Sequence, residues 1–193
     1  MARTEVLIAG AGPTGLVLAL WLARQGIAVR IIDRSAESGT TSRALAVQAR
    51  TLELYRQLDL TQHVIEHGHR VPAVNLWSRG RRAARVAFGS IGEELTPYPF
   101  LEIYPQDEHE RLLIDRLRGL GVAVERRTEL TAFTDTGDGV RARLRTPDGK
   151  EEIGEARYLA GCDGARSTVS STSIWTRQTF SGCSRSPARV APG

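Results

Sequence analysis

Six residues near the start of the chain, Gly10-Ala11-Gly12-Pro13-Thr14-Gly15, and the acid Asp33 that follows them form the arrangement best suited to chemistry. Each glycine has a separate use in such a turn. Gly10 permits a tight bend, Gly12 lets the backbone approach a diphosphate, and Gly15 lets a helix lie close against a strand. The amides and positive dipole end of the following helix meet phosphate charge. Asp33 comes 18 residues after Gly15, where a carboxylate can accept hydrogen bonds from a ribose diol and would repel a 2′-phosphate. The arrangement points to a bound dinucleotide, against the plainer reading of an ordinary strand-to-helix turn. It does not separate FAD from NAD.

The elements that must position these residues can be read around them. Glu5–Ala9 is an apolar strand, Thr14–Gln25 a helix closed by Gly26, and Ala28–Asp33 a second strand. The helix is apolar on nearly every side from Leu16 to Leu22, as expected between a sheet and another layer. A polar loop, ESGTTSR, leads to a helix expected over Ala44–Leu58 from the spacing of Leu45, Ala49, Leu52 and Leu58, and a short helix follows over Leu60–His67. Val71–Phe88 reads as two strands joined by an SRGRR tip. FLEIY is a strand ending at Pro105, and Gln106–Leu120 a helix with acids in its first turn and arginines in its last. Val122–Glu125 is a strand. Leu130–Asp135, Val140–Thr146 and Glu151–Tyr158 alternate as an antiparallel meander with turns at TGDG and PDGK, and Tyr158–Gly161 reads as a further buried strand before DGARS opens a helix.

Composition narrows the function classes. The 193 residues, 41% hydrophobic and 25% charged, suit one good core and a soluble globular protein. No apolar run approaches the ~20 residues of a membrane span. MARTEV runs directly into a needed strand, so no signal peptide is expected, and two cysteines, Cys162 and Cys183, suggest a reducing cytoplasm. The net charge of +4 includes three arginines in residues 170–193, leaving +1 on the first 169 residues, too little for a nucleic-acid stripe. RGRR at Arg79–Arg82 is expected to be a solvated hairpin tip. His63, His67, His69 and His109 lack metal-ligand spacing and are expected at the surface or helix ends. Cys162 is expected to be a core thiol, and Trp77 and Tyr104 to serve packing.

Four motifs in order, GAGPTG…DR, SRALAVQARTLELYRQLDL, YPQDEHERLL and GCDGARSTV, resemble the FAD-dependent aromatic hydroxylases related to para-hydroxybenzoate hydroxylase, which include phenol and polyketide hydroxylases. The resemblance spans residues 4–169. It implies an α/β, Rossmann-like FAD-binding domain with a parallel sheet and an antiparallel β-meander insertion. It also implies NAD(P)H-dependent hydroxylation of an aromatic or polyketide-type substrate through a flavin C4a-hydroperoxide. Carried over residue by residue, Asp33 is the ribose acid, Arg34 lies near the adenosine and Arg43 reaches the diphosphate. Gln106 contacts the ribityl-diphosphate region, and Asp163 with Gly164, Arg166 and Ser167 forms the family's DG motif. Each has a plainer alternative: solvated helix-start arginines, an N-terminal cap at Gln106, a turn acid at Asp163. Because the cofactor performs the hard step, no side chain is nominated as acid, base or nucleophile. Non-catalytic nucleotide binding and a nicotinamide-dependent oxidoreductase are the competing functions.

Family members are usually more than twice this length, so a truncated chain without a complete substrate pocket is expected, with apolar surface exposed and poor solubility. Residues 170–193 contain six serines, three threonines and no acid, and show no helix or strand period. A shifted reading frame is favoured over a natural disordered tail. One choice of codons for Ser170–Phe180, read two bases later, encodes QHLDMDAPDI, a fitting continuation of helix and loop.

Overall fold

The computed structural model describes residues 4–37, 44–88, 92, 94–164 and 168–171. Its largest sheet grows from the strand-turn-helix-strand unit at the start. β1 (Thr4–Ala9) leads into α1 (Pro13–Arg24) and returns as β2 (Val29–Asp33), parallel to β1 with Val6 opposite Val29 and Ala9 opposite Ile32. Pro13 occupies the first helical position, where its missing amide costs nothing. Gly26, at φ +74°, lets the chain turn back after α1.

β3 (Ala44–Val47), α2 (Ala49–Arg56) and α3 (Thr61–His67) follow, then β4 (His69–Val71) and the hairpin β5 (Ala73–Ser78) and β6 (Arg81–Ala87). The helix expected over Ala44–Leu58 thus begins five residues late. Ala44–Val47 pairs antiparallel with β7 (Leu101–Pro105), which pairs on its other side with β4. Helical spacing was genuine from Ala49 onward, but the four residues Ala44–Val47 satisfy their backbone on a neighbouring strand that local pattern cannot reveal. The hairpin tip lies where expected: Arg79 and Gly80 take φ of +49° and +75°, the left-handed pair that fits a two-residue hairpin. Trp77, expected to pack, is 67% exposed on that hairpin, and Leu76 and Val86 are exposed beside it.

α4 (Gln106–Gly119) leads to β8 (Val124–Arg126), parallel to β2, and to the meander β9 (Glu129–Asp135), β10 (Val140–Arg145) and β11 (Glu151–Gly161); α5 (Thr168–Ser171) closes the described chain. The strand order is β8-β2-β1-β11-β10-β9. β11 was expected as two strands and is one. Glu151–Ala156 pairs antiparallel with β10, while Ala156–Gly161 pairs parallel with β1. The change from alternating to apolar sequence marks a change of partner and not a break.

α1 and α4 pack on one face of the sheet over Ile8, Leu16, Ile31, Leu113 and Leu117. A second cluster, Leu7, Ile32, Leu130, Ala142 and Leu144, occupies the other face, where the meander joins the parallel strands. Arg30 ties the far end of the sheet, donating to both oxygens of Glu125 at 2.8 Å each and to Glu152 at 2.7 Å. No helix is long and apolar enough to cross a membrane among the described residues. Of the tail, only Ser170 and Ser171 are described, closing α5; the expectation for residues 172–193 lies outside the described residues.

His109 lies near a helix end, as expected, but is buried there. It is 1% exposed in the first turns of α4, with Nε2 2.6 Å from the hydroxyl of buried Tyr55 and its ring against buried Tyr104. Burial lowers its pKa from 6.5 to about 4. The native state therefore resists a proton that the unfolded chain takes up freely. This contribution to stability is whole above pH 6.5 and is lost as pH falls from 6.5 toward 4, by on the order of 3 kcal/mol. Urea titrations at about pH 7 and pH 4.5 should show a smaller loss for His109→Gln than for the parent chain.

Candidate nucleotide-binding site

The site is built where three strands of the large sheet end together. The amide of Gly10 donates to the carbonyl of Ile32 at 2.8 Å, and that of Cys162 donates to the carbonyl of Ala9 at 2.7 Å. The ends of β1, β2 and β11 are thereby laced side by side. A cleft of about 250 Å³ opens outside these carboxyl ends, the usual place for a ligand on a parallel α/β sheet.

Gly10 and Gly15 do the work their spacing implied. At Gly10, φ is +104°, and a Cβ would overlap the carbonyl of Cys162 and lie 2.6 Å from the amide nitrogen of Asp163. A Cβ at Gly15 would overlap the carbonyl oxygen of Gly10, so α1 sits on the strand end only without one. Gly12 differs: among the described residues a Cβ there meets nothing within 4 Å, and its φ of −76° suits any residue. The described residues do not require glycine at this position. A ligand brought against the backbone would.

α1 has no side-chain cap and no acid in its first turn, so its positive end is left unneutralised beside the cleft, which its N-cap residue Gly12 lines. Ala11 is buried and donates its amide to Asp33 Oδ2 at 2.6 Å; the amide of Ser35 donates to Asp33 Oδ1 at 2.7 Å. Each carboxylate oxygen keeps a lone pair for a further donor, which suits two vicinal hydroxyls. Asp163 accepts the Thr168 amide on Oδ2 at 2.7 Å, while its buried Oδ1 has no partner among the described residues. Burial, with the charge of Asp163, pushes the Cys162 thiol pKa up, so this half-buried sulfur is a poor nucleophile.

Of the residues expected to bind, Gly10, Gly12, Asp33, Arg34 and Asp163 line this cleft. Ala11, buried, lies in the turn, Pro13 opens α1, and Thr14, exposed, and Gly15, buried, follow in the first helical turn. Gln106 stands elsewhere, at the start of α4, where its side-chain amide donates to Glu110 at 2.8 Å. Arg43, Arg166 and Ser167 lie outside the described residues. Sequence reasoning missed Thr128, Glu129 and Leu130, which also line the cleft. Thr128 is 3% exposed and donates its amide to the carbonyl of Asp33 at 2.9 Å. Recognising Val122–Glu125 as the next parallel strand would have found them, since the segment after it must arrive at the same edge.

The unfilled space over Gly12, the uncapped helix, the acceptor capacity of Asp33 and the unsatisfied Asp163 oxygen together fit a phosphate-bearing, hydroxyl-rich ligand. A family model described as FAD binding domain matches residues 3–187. The 6-methylpretetramide 4-monooxygenase of Streptomyces rimosus is 44% identical over 165 residues, 86% of this chain and 29% of that protein. A structure of aklavinone-11 hydroxylase in ternary complex with FAD and aklavinone matches with TM-score 0.75 and 34% identity, over 86% of this chain and 34% of that one. The p-nitrophenol 4-monooxygenase of Pseudomonas putida DLL-E4 shares the fold, with TM-score 0.79 at 24% identity over 86% of this chain and 42% of that one. The chain spans about a third of the length of the curated relatives it matches.

The glycines give a paired test. Gly12→Val should cost no more than the ~1 kcal/mol of replacing a glycine N-cap, while weakening nucleotide binding at least about tenfold, ~1.4 kcal/mol. Gly15→Ala should destabilise the fold by about 3 kcal/mol or more, because the obstacle is backbone that cannot step aside. Thermal melts and isothermal titration separate the two outcomes.

Proposed function

The chain belongs to the FAD binding domain family, and from that premise we propose that its cleft holds the ADP half of FAD for an NADH- or NADPH-dependent aromatic or polyketide hydroxylase. The observation that carries the reading is the space over Gly12, unfilled by any described residue, at the mouth of an uncapped helix. Here the orphan amides of α1 hold the diphosphate. Asp33 accepts the ribose hydroxyls with its two remaining lone pairs, and Arg34, exposed at the cleft edge, accompanies the adenosine. Asp163 offers its unsatisfied Oδ1 to a hydroxyl. Arg43 and Gln106 are assigned to the diphosphate and ribityl side. When bound, FAD supplies the redox chemistry that passes electrons from a nicotinamide to dioxygen and so hydroxylates an electron-rich ring. The protein contributes binding, orientation and exclusion of water, with no side chain as acid, base or nucleophile. A reducing cytoplasm suits the free thiol of Cys162.

A second reading is nucleotide binding without turnover. One experiment tests both. The purified chain is titrated with FAD and followed by flavin absorbance and fluorescence. NADPH or NADH oxidation is then assayed with phenolic and polyketide substrates. Saturable, stoichiometric FAD binding supports the FAD site. Substrate-stimulated nicotinamide oxidation supports the hydroxylase, and its absence with flavin bound supports the second reading. Tight NAD binding with no affinity for FAD overturns the FAD site and the hydroxylase reading with it.

A further inference from the structure

Resting on the reading of Asp33 as ribose acceptor, we infer that Arg126 is a positioning residue for nucleotide binding that acts through the Asp33 carboxylate. The parallel register of β2 and β8 sets Arg126 opposite Asp33. Arg126 Nη1 stands 3.8 Å from Asp33 Oδ1, beyond hydrogen-bond reach but within an ion pair, with the two side chains only 20% and 14% exposed. Asp33 is the one carboxylate at ion-pair distance from Arg126 among the described residues. Arg126 Nη2 is buried with no hydrogen-bond partner among them.

A guanidinium withdrawn from water with a donor unspent is costly unless a nearby opposite charge offsets it. Asp33 supplies that charge. The benefit to the site runs in the other direction. Asp33, Glu129 and Asp163 line the cleft, which must nevertheless admit a diphosphate. Arg126 does not line the cleft. It stands behind Asp33 and offsets one of these charges without occupying the ligand's space. The backbone holds the same carboxylate from the ligand side, through the amides of Ala11 and Ser35, one on each oxygen. Between two amides and one guanidinium the carboxylate has little freedom to turn, so its remaining lone pairs stay directed at the ribose. Thr128 extends the brace: its hydroxyl donates to the carbonyl of Arg126 at 3.3 Å and its amide to that of Asp33.

The test is a double-mutant cycle in the full chain with Arg126→Gln, Asp33→Asn and the double variant, titrated with FAD, ADP and 2′,3′-dideoxy-ADP. Arg126→Gln should raise the Kd for FAD and ADP about tenfold when Asp33 is intact, and less than about twofold in the Asp33→Asn background, a coupling of ordinary size for charges in contact. The preference for ADP over 2′,3′-dideoxy-ADP should shrink in Arg126→Gln, a readout that a merely structural role would not move. Equal losses in both backgrounds, or an unchanged preference for the hydroxyls, would overturn the inference. Should Arg126→Gln fail to fold, Arg126→Lys decides. With the charge retained, FAD affinity should stay within about threefold of the parent; a loss as large as that of Asp33→Asn, at an unchanged melting temperature, counts against the role. Failure of the parent chain to bind FAD removes the underlying reading, whereas additive losses with intact parent binding remove only the part assigned to Arg126.

Discussion

The site depends on three backbones meeting at Gly10. The residue bends the chain out of β1, carries the carbonyl on which Gly15 lets α1 rest, and lies against Cys162 and Asp163 where β11 ends. A side chain there would displace the helix start, the end of β11 or both. Because the contact is backbone against backbone, rotamer changes cannot relieve it. The orientation of α1 toward the cleft, and hence the placement of its positive end, follows from that one close approach.

Charge in the cleft is arranged on the same logic. On the proposed reading, phosphate recognition is left to amides and the helix dipole, which have no counter-ion to lose and no rotamer to order, and the carboxylates are reserved for hydroxyls. Asp33 and Asp163 are each tethered by backbone donors, so their unsatisfied capacity is directional. Acids near a diphosphate look unfavourable as net charge, yet they are consistent with a ligand that presents sugar hydroxyls beside its phosphates.

How much could be read in advance follows the range of each interaction. The strand, glycine turn, helix and second strand were legible because the interactions that define them are local in the chain. The hairpin tip and the meander turns were legible for the same reason. Ala44–Val47 was misread because its partner is β7, far along the chain. β11 was cut in two because a single strand with two kinds of neighbour has two kinds of pattern. The helix-end place of His109 was legible but its burial was not, since nothing near it in sequence announces that Tyr55 and Tyr104 will close over it. Within the site, the glycines and Asp33 could be read from spacing, whereas Thr128 to Leu130 depend on where a later strand docks. Asp163, Arg34, Arg43 and Gln106 were reached through resemblance and not through spacing.

The position of β11 beside β1 has a kinetic consequence. The first strand and the strand that walls its cleft are separated by most of the described sequence, and parallel pairing over such a span is slow to form. During vectorial synthesis the glycine turn emerges early, with one flank missing until the meander has been made and threaded alongside. A prosthetic group therefore cannot be captured by the nascent N-terminal unit as a finished receptacle. Loading waits on a long-range docking event, and for that interval the apolar edge of β1 is open to chaperones or to misassembly.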